Sequence, residues 1–470
     1  MPGAQASGLR HAREAEQRGA AAVVWDGPDD AAPAAADEPG VPYVPGVPYI
    51  HVPRLRARLG AIAARFYDNP SADMLVVAVT GTNGKTTVAH TIAQALKMRR
   101  GDCGLFGTLG AGTVDCLAPS SNTTPDALAV QRGLAALRGQ GVDCAVMEAS
   151  SHGLEQFRLA GTAVDIAVLT QLGRDHLDYH RTPEAYAASK KKLFEKNSVR
   201  TAVLNLDDAF GVELKTFCTV RKIKVLGYSL HGRGADVVGT VRAAARNGTD
   251  LDIAYGGQTA RVKSRLAGAF NAANVLAAFA VLVAGECDAE TAAALLSATA
   301  PVPGRMQLFA AAGRPLVVLD YAHTPDALEH VLSSNRAMCA GCMVCVFGCG
   351  GERDRGKRPL MGEIAGRLCD EIILTDDNPR RESPRDIVAD IAAGVRSSGR
   401  EDAETVHDRA RAIVYAIGRA GPNDCVLVLG KGHERTQDFG DRVVAFSDSE
   451  VIRSALADVD GGGATEPGAA

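Results

Sequence analysis

Unbroken apolar runs alternate with helix-length stretches over most of the chain. From Met74 onward the runs are "MLVVAVT", "CAVMEAS", "DIAVLTQL" and "TAVLNLD", and the first is followed by the helical pattern "TTVAHTIAQALKM". Apolar runs without polar alternation are typical of parallel strands that are covered by helices on both faces. The pattern therefore predicts an α/β unit built on a parallel sheet.

A second series of the same kind follows "PVPGR", residues 301–305, which we interpret as a linker. Its predicted strands are "PLVVLDY", "CMVCVFG", "EIILTDD" and "DCVLVLG", and its predicted helices are "PDALEHVLSS" and "PRDIVADIAAGVR". Between residues 225 and 265 the first series gives way to short alternating patterns, which predict a small β insertion before the helix "NAANVLAAFAVLVAG". Two doubly wound sheets are expected.

The chain before Met74 follows another pattern. It predicts the helix "GLRHAREAEQRGA", the strand "AAVVW", the extended stretch "VPYVPGVPYIHVP" and the helix "LRARLGAIAARFY". We therefore predict an α/β protein of three domains, at residues 1–72, 73–304 and 305–470. The Gly/Ala-rich tail after Asp460 is expected to be disordered.

Composition narrows the functional classes. The 470 residues are 46% hydrophobic with a formal net charge of −4, so a broad basic surface for nucleic acid is excluded. The N-terminus lacks the apolar core of a signal peptide, and no run approaches the ~18 apolar residues of a membrane span. We expect a cytoplasmic protein.

Four of the eleven cysteines, Cys339, Cys342, Cys345 and Cys349, reproduce the C-x2-C-x2-C-x3-C spacing of an iron–sulfur site. The competing interpretation is a buried strand, "CMVCVFG", in which residues three apart face opposite sides of the sheet. We favour the strand, because the iron–sulfur spacing lacks its usual context, and we expect the cysteines to be reduced core thiols.

The stretch "VTGTNGKTTV" joins an apolar strand to a helix and is typical of a phosphate-binding loop. Backbone N–H groups at the start of such a helix face an anion, Lys85 supplies positive charge to the phosphates, and the Thr86 hydroxyl can bind Mg²⁺. The loop departs from the G-x-x-x-x-G-K-[ST] rule, because Val79 stands in the first position and the first glycine is Gly81. A plain glycine turn with a surface lysine is the weaker alternative.

Two polar clusters follow strands that should lie beside this loop. Glu148 ends the strand "CAVM", where a Mg²⁺ carboxylate belongs, and "SSHGLEQFR" comes directly after it. His176 lies in "GRDHLDYH", after the strand "DIAVLTQL". A lone histidine is usually structural, but this position makes His176 a candidate ligand for a second metal.

Ten ordered motifs together resemble those of the Mur ligases, over about residues 45 to 455. They are "GTNGKTT", "NTTPD", "MEASSHGL", "RDHLDYH", "AGAFNAANVLAA", "PGRM", "DYAHTPDALE", "GCGGERDRGKRPLMG", "DNPRRESP" and "GKGHERTQ". The resemblance implies an N-terminal domain that binds a uridine nucleotide, a central P-loop-type ATPase domain with a parallel sheet, and a C-terminal Rossmann-like domain that admits an amino acid. It also implies a monomeric enzyme of peptidoglycan synthesis, and hence of cell-wall biogenesis, cell shape and cell division.

The implied reaction transfers the γ-phosphate of ATP to the D-Glu side-chain carboxylate of UDP-N-acetylmuramoyl-L-alanyl-D-glutamate. The amine of an incoming amino acid then attacks the acyl phosphate, with Mg²⁺ offsetting the charge. By resemblance the ATP-binding residues are Gly81, Thr82, Asn83, Gly84, Lys85, Thr86, Thr87, Asn271, Asn274 (both near the base), Arg305, Asp320 and His323. Those for the UDP substrate are Thr123, Thr124, Ser150, Gln156 and Arg158.

The resemblance further implies a carbamylated lysine, N6-carboxylysine, that binds the second Mg²⁺. The matching residue is Lys190 in "EAYAASKKKLF", one helical turn after Tyr186. A carbamate forms from a neutral amine, and we expect Lys191 and Lys192 to favour deprotonation of Lys190. A solvated basic helix face is the alternative, and it suits Lys191 and Lys192 better. The catalytic set is thus Lys85, Glu148, His176 and Lys190, with Thr86, Glu148, His176 and Lys190 at the metal.

The loop "DDNPRRESP" indicates which amino acid is added. By resemblance, members that add meso-diaminopimelate carry Asp-Asn-Pro-Arg here, whereas members that add L-lysine usually lack the arginine. Diaminopimelate has a distal carboxylate, and arginine can hold a carboxylate through two parallel N–H bonds. The implied pocket consists of Arg353, Asp377, Asn378, Pro379, Arg380, Gly430 and Glu434, with Glu434 at the distal ammonium. An exposed helix-capping turn explains Ser383 and Pro384 but not Arg380.

The chain departs from the family at its start. An earlier segment with an Asp-Ser-Arg element, which helps to bind uridine, is expected but not found before "GAAAVVW", so the N-terminal domain reads as truncated. Two alternatives stay open. One is a lysine-adding or other Mur-type or folylpolyglutamate-type ligase, which the "DNPR" loop discriminates, and the other is a nucleotide-binding homologue that is inactive because of its short N-terminus.

Overall fold

The computed structural model describes residues 12–26, 47–120, 122–245, 248–266, 268, 270–285, 287–336 and 339–457. Its first unit contains α1 (Ala12–Gln17), β1 (Val23–Trp25), β2 (Tyr49–His51) and α2 (Leu55–Phe66). The two strands pair in parallel, and Asp26 accepts a hydrogen bond from the backbone N–H of Leu55 at the start of α2, at 2.8 Å. The predicted helices and strand of this unit are confirmed within the described residues, while residues 8–11 of the first helix and 41–46 of the proline-rich stretch lie outside them.

The second unit is one mixed sheet with helices on both faces. Its strands are β3 (Leu75–Thr80), β4 (Gly104–Gly107), β5 (Gly110–Thr113), β6 (Cys116–Ala118), β7 (Cys144–Glu148), β8 (Ile166–Leu169), β9 (Thr201–Asn205), β10 (Lys224–Ser229), β11 (Val237–Ala245), β12 (Gly248–Tyr255) and β13 (Gln258–Ser264). Its helices are α3 (Lys85–Arg100), α4 (Ala127–Gly139), α5 (Ser151–Glu155), α6 (Leu177–His180), α7 (Pro183–Lys191), α8 (Ala209–Val220), α9 (Phe270–Val283) and α10 (Ala289–Ala298).

The order of this sheet is β13-β12-β11-β10-β9-β8-β3-β7-β4-β5-β6. The strands from β11 to β4 pair in parallel, and both edges are antiparallel. Alternate residues of β3 enter opposite cores: Val77 and Val79 pack with α3 and α9, whereas Val76 and Ala78 pack with α4. A strand buried on both faces explains the unbroken apolar run.

The third unit contains β14 (Gln307–Phe309), β15 (Leu316–Asp320), β16 (Met343–Phe347), β17 (Glu371–Leu374), β18 (Glu404–Thr405), β19 (Cys425–Leu429), β20 (Thr436–Asp438) and β21 (Val443–Ala445). Its helices are α11 (Pro325–Arg336), α12 (Lys357–Leu368), α13 (Pro384–Ser397), α14 (Arg409–Arg419) and α15 (Asp448–Ala457). The sheet order is β14-β15-β19-β16-β17-β18, parallel except for β14, and β20 with β21 forms a separate hairpin. Helices α11, α12 and α13 cover one face and α14 and α15 the other.

The α/β class and the two doubly wound sheets are confirmed, and "CMVCVFG" is indeed a strand, β16. The insertion near residues 225–265 is a β structure, but it extends the central sheet rather than forming a sheet of its own. The glycine-rich strands β4, β5 and β6 were not predicted. The domain boundaries at residues 72 and 304 stay predictions, and the tail after Asp460 lies outside the described residues. Within the described ranges, no helix has the length and apolarity that a membrane crossing needs.

Candidate active site

A cavity of about 790 Å³ lies between the second and third units, where the carboxyl ends of both sets of parallel strands meet. Most of the predicted site residues line it. Those that line it are Thr82, Asn83, Gly84, Lys85, Thr86, Thr87, Thr123, Glu148, Ser150, Arg158, His176, Asn271, Asn274, Arg305, Asp320, His323, Arg353, Asp377, Asn378, Arg380, Gly430 and Glu434. Five predicted residues lie behind that lining. Gly81, Thr124 and Gln156 share hydrogen bonds with lining residues, Pro379 lies between Asn378 and Arg380 in the chain, and Lys190 contacts Gly81.

The phosphate loop connects β3 to the first turn of α3. Gly81 has a φ of 149°, and a Cβ there would lie 1.8 Å from the Thr170 hydroxyl, so this position requires glycine. Lys85 begins the helix, and its Nζ donates to the carbonyls of Gly81 at 3.0 Å and Thr82 at 2.9 Å. Burial lowers the pKa of Lys85, while Glu148 and Asp175 oppose that shift. The loop thus presents a lysine and a helix N-terminus to the cavity.

A buried carboxylate faces the same helix. Glu148 ends β7, and its Oε2 accepts a hydrogen bond from the Thr86 hydroxyl at 3.0 Å. Its Oε1 accepts one from the backbone N–H of Thr108 at 2.8 Å, and the Thr108 hydroxyl lies 3.1 Å from that of Thr123. Thr108 follows β4, so it was missed in the sequence together with that strand. The Thr86 hydroxyl and the Glu148 carboxylate form a set of hard oxygen donors that fits Mg²⁺.

Lys190 lies behind the phosphate loop. It is 1% exposed, and its Nζ donates to the Gly81 carbonyl at 2.8 Å and lies 4.3 Å from the centre of the Tyr186 ring. Burial lowers the pKa of Lys190 far below its usual range, and the nearby charge of Lys85 lowers it further. The prediction that Lys191 and Lys192 favour deprotonation of Lys190 is wrong, because both side chains pair with other residues. Lys191 lies 3.8 Å from Glu213, and Lys192 lies 2.6 Å from Glu155.

His176 and Asp175 lie near the Tyr186 ring, which Lys190 also approaches. The imidazole of His176 is 3.3 Å from the Asp175 carboxylate, and its ring centre is 6.3 Å from that of Tyr186. Burial raises the pKa of Asp175, but the charges of His176, His323 and Lys85 outweigh it, so the net pKa is lowered. Within the described ranges, no three His, Cys, Asp or Glu side chains are grouped to hold a metal. A Mg²⁺ here would therefore depend on hydroxyl, phosphate and water oxygens as well.

The third unit supplies the opposite wall of the cavity. Nη2 of Arg305 donates to the Thr86 hydroxyl at 3.0 Å, and the guanidinium lies 4.4 Å from the centre of the Tyr321 ring. Asp320 is buried, which raises its pKa, and it accepts hydrogen bonds from the backbone N–H groups of Met306 at 2.7 Å and Ala322 at 2.8 Å. Burial lowers the pKa of His323 to about 4, and the neighbouring Lys357 adds to this shift. His323 is therefore neutral at pH 7.

A third group of polar residues follows β7. The Thr124 hydroxyl donates to the Glu148 carbonyl at 2.7 Å and lies 3.0 Å from the Ser150 hydroxyl, which in turn accepts from the Gly153 N–H at the start of α5. Nη2 of Arg158 donates to the Gln156 side-chain oxygen at 2.8 Å. These residues connect the end of β7 to α5 and to the loop after it.

Phe157, between Gln156 and Arg158, has a left-handed φ of 59°, and the Arg158 N–H bonds back to the Gly153 carbonyl at 2.8 Å. Glycine is the usual residue at this position after a helix. We expect Phe157→Gly to be more stable to unfolding than Phe157→Ala by about 1 kcal/mol, because only glycine relieves the left-handed strain. Denaturant unfolding of the two variants measures the difference. Equal stability would mean that the conformation carries no strain.

The loop "DDNPR" follows β17 and lies against the segment after β19. Asn378 uses its whole amide: Oδ1 accepts from Lys431 Nζ at 2.9 Å and from the Asp438 N–H at 3.0 Å, and Nδ2 donates to Glu434 Oε2 at 2.8 Å. The same Oε2 accepts from Lys431 at 2.7 Å. Lys431 lies in the motif "GKGHERTQ", but no role was predicted for it from the sequence. Asn378 and Lys431 together fix the Glu434 carboxylate.

Arg380 leaves this loop with a left-handed φ of 53°. Its backbone N–H donates to the Asp438 carbonyl at 3.0 Å, and its Nη1 donates to the Gly351 carbonyl at 2.8 Å. The side chain is 24% exposed and lines the cavity together with Arg353. A guanidinium has five donors, so those that remain can hold a carboxylate that enters the cavity.

Models of the Mur ligase family match most of the chain. The middle domain matches residues 79–282, the glutamate ligase domain matches residues 304–432, and the model described as "Mur ligase family, catalytic domain" matches residues 1–67.

Curated relatives match at high identity. A protein of Alkalilimnicola ehrlichii named UDP-N-acetylmuramoyl-L-alanyl-D-glutamate--2,6-diaminopimelate ligase is 49% identical over 98% of this chain and 92% of its own. Relatives of the same name from Coxiella burnetii and Pseudomonas aeruginosa are 43% and 42% identical, each over 97% of this chain and 91% of its own.

Solved structures agree with these relatives. One described as a UDP-N-acetylmuramoyl-L-alanyl-D-glutamate--2,6-diaminopimelate ligase has a TM-score of 0.64 and 38% identity, covering 89% of this chain and 85% of its own. A folylpolyglutamate synthase of Mycobacterium tuberculosis, at 18% identity, has a TM-score of 0.65 over 86% of this chain and 94% of its own, so it shares the fold. The chain belongs to the Mur ligase family.

Proposed function

We propose that this protein catalyses the ATP-dependent addition of meso-diaminopimelate to UDP-N-acetylmuramoyl-L-alanyl-D-glutamate, through an acyl phosphate, in the synthesis of peptidoglycan precursors. Relatives with 42–49% identity over nearly the whole chain are named for this reaction. The observation that carries the proposal is the position of Arg380, whose guanidinium faces the same cavity as the phosphate loop. We place the reaction in the cytoplasm of the cell and assign it to a monomer.

We assign the triphosphate of ATP to the loop Gly81–Thr87. Its backbone N–H groups and Lys85 would hold the phosphates, and Arg305, already bonded to Thr86, would reach them from the third unit. Asn274 lies against Gly84, where a Cβ would be 2.5 Å from its side-chain oxygen. We therefore assign Asn274, together with Asn271, which it contacts at 2.8 Å, to the phosphate side of ATP rather than to the base. Asp320 and His323 complete the nucleotide site from the third unit.

The reaction brings a carboxylate up to a triphosphate, so positive charge has to offset their repulsion. When bound at Thr86 and Glu148, Mg²⁺ would supply part of this charge. Lys85 would supply another part at the γ-phosphate. Thr123, Thr124, Ser150, Gln156 and Arg158 would position the UDP substrate, with Arg158 as the cation nearest its carboxylates.

Lys190 has the environment that a carbamate requires. Its amine is buried and its pKa is lowered, so the neutral form that reacts with CO₂ is populated. We propose that Lys190, as N6-carboxylysine, and His176 would hold a second Mg²⁺ near the Tyr186 ring, which both side chains approach. The product of carbamylation is an anion next to Lys85, which would balance the positive charge behind the phosphate loop.

We assign the amino-acid pocket to Arg353, Asp377, Asn378, Pro379, Arg380, Gly430 and Glu434. Arg380 would hold the distal carboxylate of diaminopimelate. Lys431 already occupies Oε2 of Glu434, so the distal ammonium would bind the other carboxylate oxygen. L-Lysine has no distal carboxylate for the free donors of Arg380, whose charge would keep only the 3.8 Å ion pair with Asp438 in a partly desolvated site. The loss of these hydrogen bonds disfavours lysine.

One contact couples the two walls of the cavity. Asp326, at the start of α11, accepts a hydrogen bond from the Arg174 N–H at 2.8 Å, in the loop that carries His176. We expect Asp326→Ala to lower kcat about tenfold, because a hydrogen bond to a charged group across the two units would be lost. Asp326→Asn keeps an acceptor oxygen and should lose less. Phosphate release measures both rates, and equal rates for wild type and Asp326→Ala would remove Asp326 from the closing contact.

Phosphate release tests the proposed function. Release should require ATP, UDP-N-acetylmuramoyl-L-alanyl-D-glutamate and diaminopimelate together, and the product should gain the mass of one diaminopimelate residue. Release without the UDP substrate would indicate a different ligase of the superfamily. No release under any combination would indicate a nucleotide-binding homologue and would overturn the proposal.

A further inference from the structure

Arg358 is a fully buried cation that the assigned site does not use. It lies in the first turn of α12, and its side chain is 0% exposed. Nη1 and Nη2 donate to the two carboxylate oxygens of Glu382, each at 2.7 Å, and Nη1 also donates to Asp390 at 3.0 Å. Two parallel bonds of this length are the geometry of a strong arginine–carboxylate pair.

Glu382 follows Arg380 by two residues, and it also binds the other wall of the amino-acid pocket. Its Oε2 accepts a hydrogen bond from the Glu352 N–H at 3.0 Å, next to Arg353. One carboxylate thus joins α12, the segment at residues 350–353 and the loop at residues 377–382. Arg358 holds this carboxylate, so both segments depend on the same ion pair.

The two segments are in close backbone contact. The Gly351 N–H donates to the Asn378 carbonyl at 2.9 Å, and a Cβ at Gly351 would lie 1.9 Å from the Pro379 carbonyl. The Gly351 carbonyl is the group that receives Nη1 of Arg380. A small shift of either segment would therefore move the Arg380 guanidinium.

The charge state of Glu382 agrees with this role. Its bonds to Arg358 lower the pKa of Glu382 to about 2, so it is ionised at every pH at which an enzyme of this kind works. Without Glu382, the buried Arg358 would keep only Asp390 as a carboxylate partner, and we expect the surrounding backbone to rearrange.

We propose that Arg358 and Glu382 are a positioning pair for amino-acid selection: their ion pair fixes the loop at residues 377–382 against residues 350–353 and so aims Arg380 at the distal carboxylate. The inference rests on the proposed function, since it concerns the same amino-acid pocket. Neither residue lines the cavity. Their effect on the substrate is exerted through Arg380.

Glu382→Gln tests the pair, because it keeps the shape of the side chain and removes its charge. We expect the KM for diaminopimelate to rise about tenfold or more, while the KM values for ATP and the UDP substrate stay within about twofold. The preference for diaminopimelate over lysine, as a ratio of kcat/KM, should fall by a similar factor. Arg358→Lys changes the other member of the pair, and it should likewise raise the KM for diaminopimelate and lower the preference for diaminopimelate over lysine.

The matched control is Glu329→Gln, the same change in the exposed ion pair with Arg367 of the same unit. It should leave all three KM values and the preference unchanged. Hydrogen exchange gives a second readout that needs no turnover: amides at residues 349–356 and 376–383 should lose protection in Glu382→Gln and keep it in Glu329→Gln.

Three outcomes would overturn the inference: an equal change in all three KM values, a fall in kcat alone, or lost protection with an unchanged KM for diaminopimelate. Failure of the proposed function is distinguishable from these, because the wild type itself would then release no phosphate with diaminopimelate. Even then, hydrogen exchange that is unchanged at both segments in Glu382→Gln would show that the ion pair does not hold them.

Discussion

Replacing Lys190 by Gln is expected to lower kcat by about a thousandfold with little change in folding stability. The variant keeps a polar group near the Gly81 carbonyl but forms no carbamate, so the anionic oxygen assigned to the second Mg²⁺ is lost. Removal of a single preorganised charged group at a reacting centre typically lowers turnover ~10²–10³-fold. Steady-state phosphate release measures the loss.

A second measurement observes the modification directly. Wild type equilibrated with ¹³C-bicarbonate should give a carbamate carbonyl signal in the NMR spectrum, and Lys190→Gln should not. Lys191→Gln is the matched control, since Lys191 pairs with Glu213 away from the cavity and should retain both the signal and the turnover. A signal that persists in Lys190→Gln, or is lost in Lys191→Gln, would assign the carbamate to another lysine.

Arg380→Lys should raise the KM for diaminopimelate about a hundredfold and leave the KM for ATP nearly unchanged. The lysine side chain of this variant keeps the charge but cannot form two parallel bonds to a carboxylate. Each charge-assisted hydrogen bond contributes ~1.5–3 kcal/mol, so the loss of one of them is enough for a change of this size. Arg381→Lys is the matched control, because Arg381 is the neighbouring arginine and is exposed. Equal losses for diaminopimelate and ATP would indicate that Arg380 has a structural role.

The strands of the two doubly wound sheets could be read from the sequence because burial on both faces removes the polar alternation. Val76 to Val79 of β3 and Val344 to Phe347 of β16 show this, since each run lies between two helical layers. Strands β4 to β6 could not be read, because "GLFGTLGAGTVDC" has the glycine content of a turn. Their strand form depends on pairing with β7, which is distant in the sequence.

The site was predictable where a chemical group follows a strand, as for Lys85 and Glu148. The site was not predictable where the properties of a residue depend on another residue that is distant in the sequence. The lowered pKa of Lys190 depends on burial and on Lys85, which is more than a hundred positions earlier, and not on the adjacent lysines. The same holds for Glu434, whose carboxylate is held by Asn378 from another loop. Contacts of this kind arise from packing, and no local pattern encodes them.

Competition between diaminopimelate and L-lysine for one enzyme measures the selectivity that we assign to Arg380. With ATP and the UDP substrate saturating and the two amino acids equimolar, the mass of the product reports their ratio of kcat/KM. We expect a preference for diaminopimelate of about a hundredfold or more in the wild type, and a much smaller preference in Arg380→Lys. A product that contains mainly lysine, or a ratio that Arg380→Lys leaves unchanged, would contradict it.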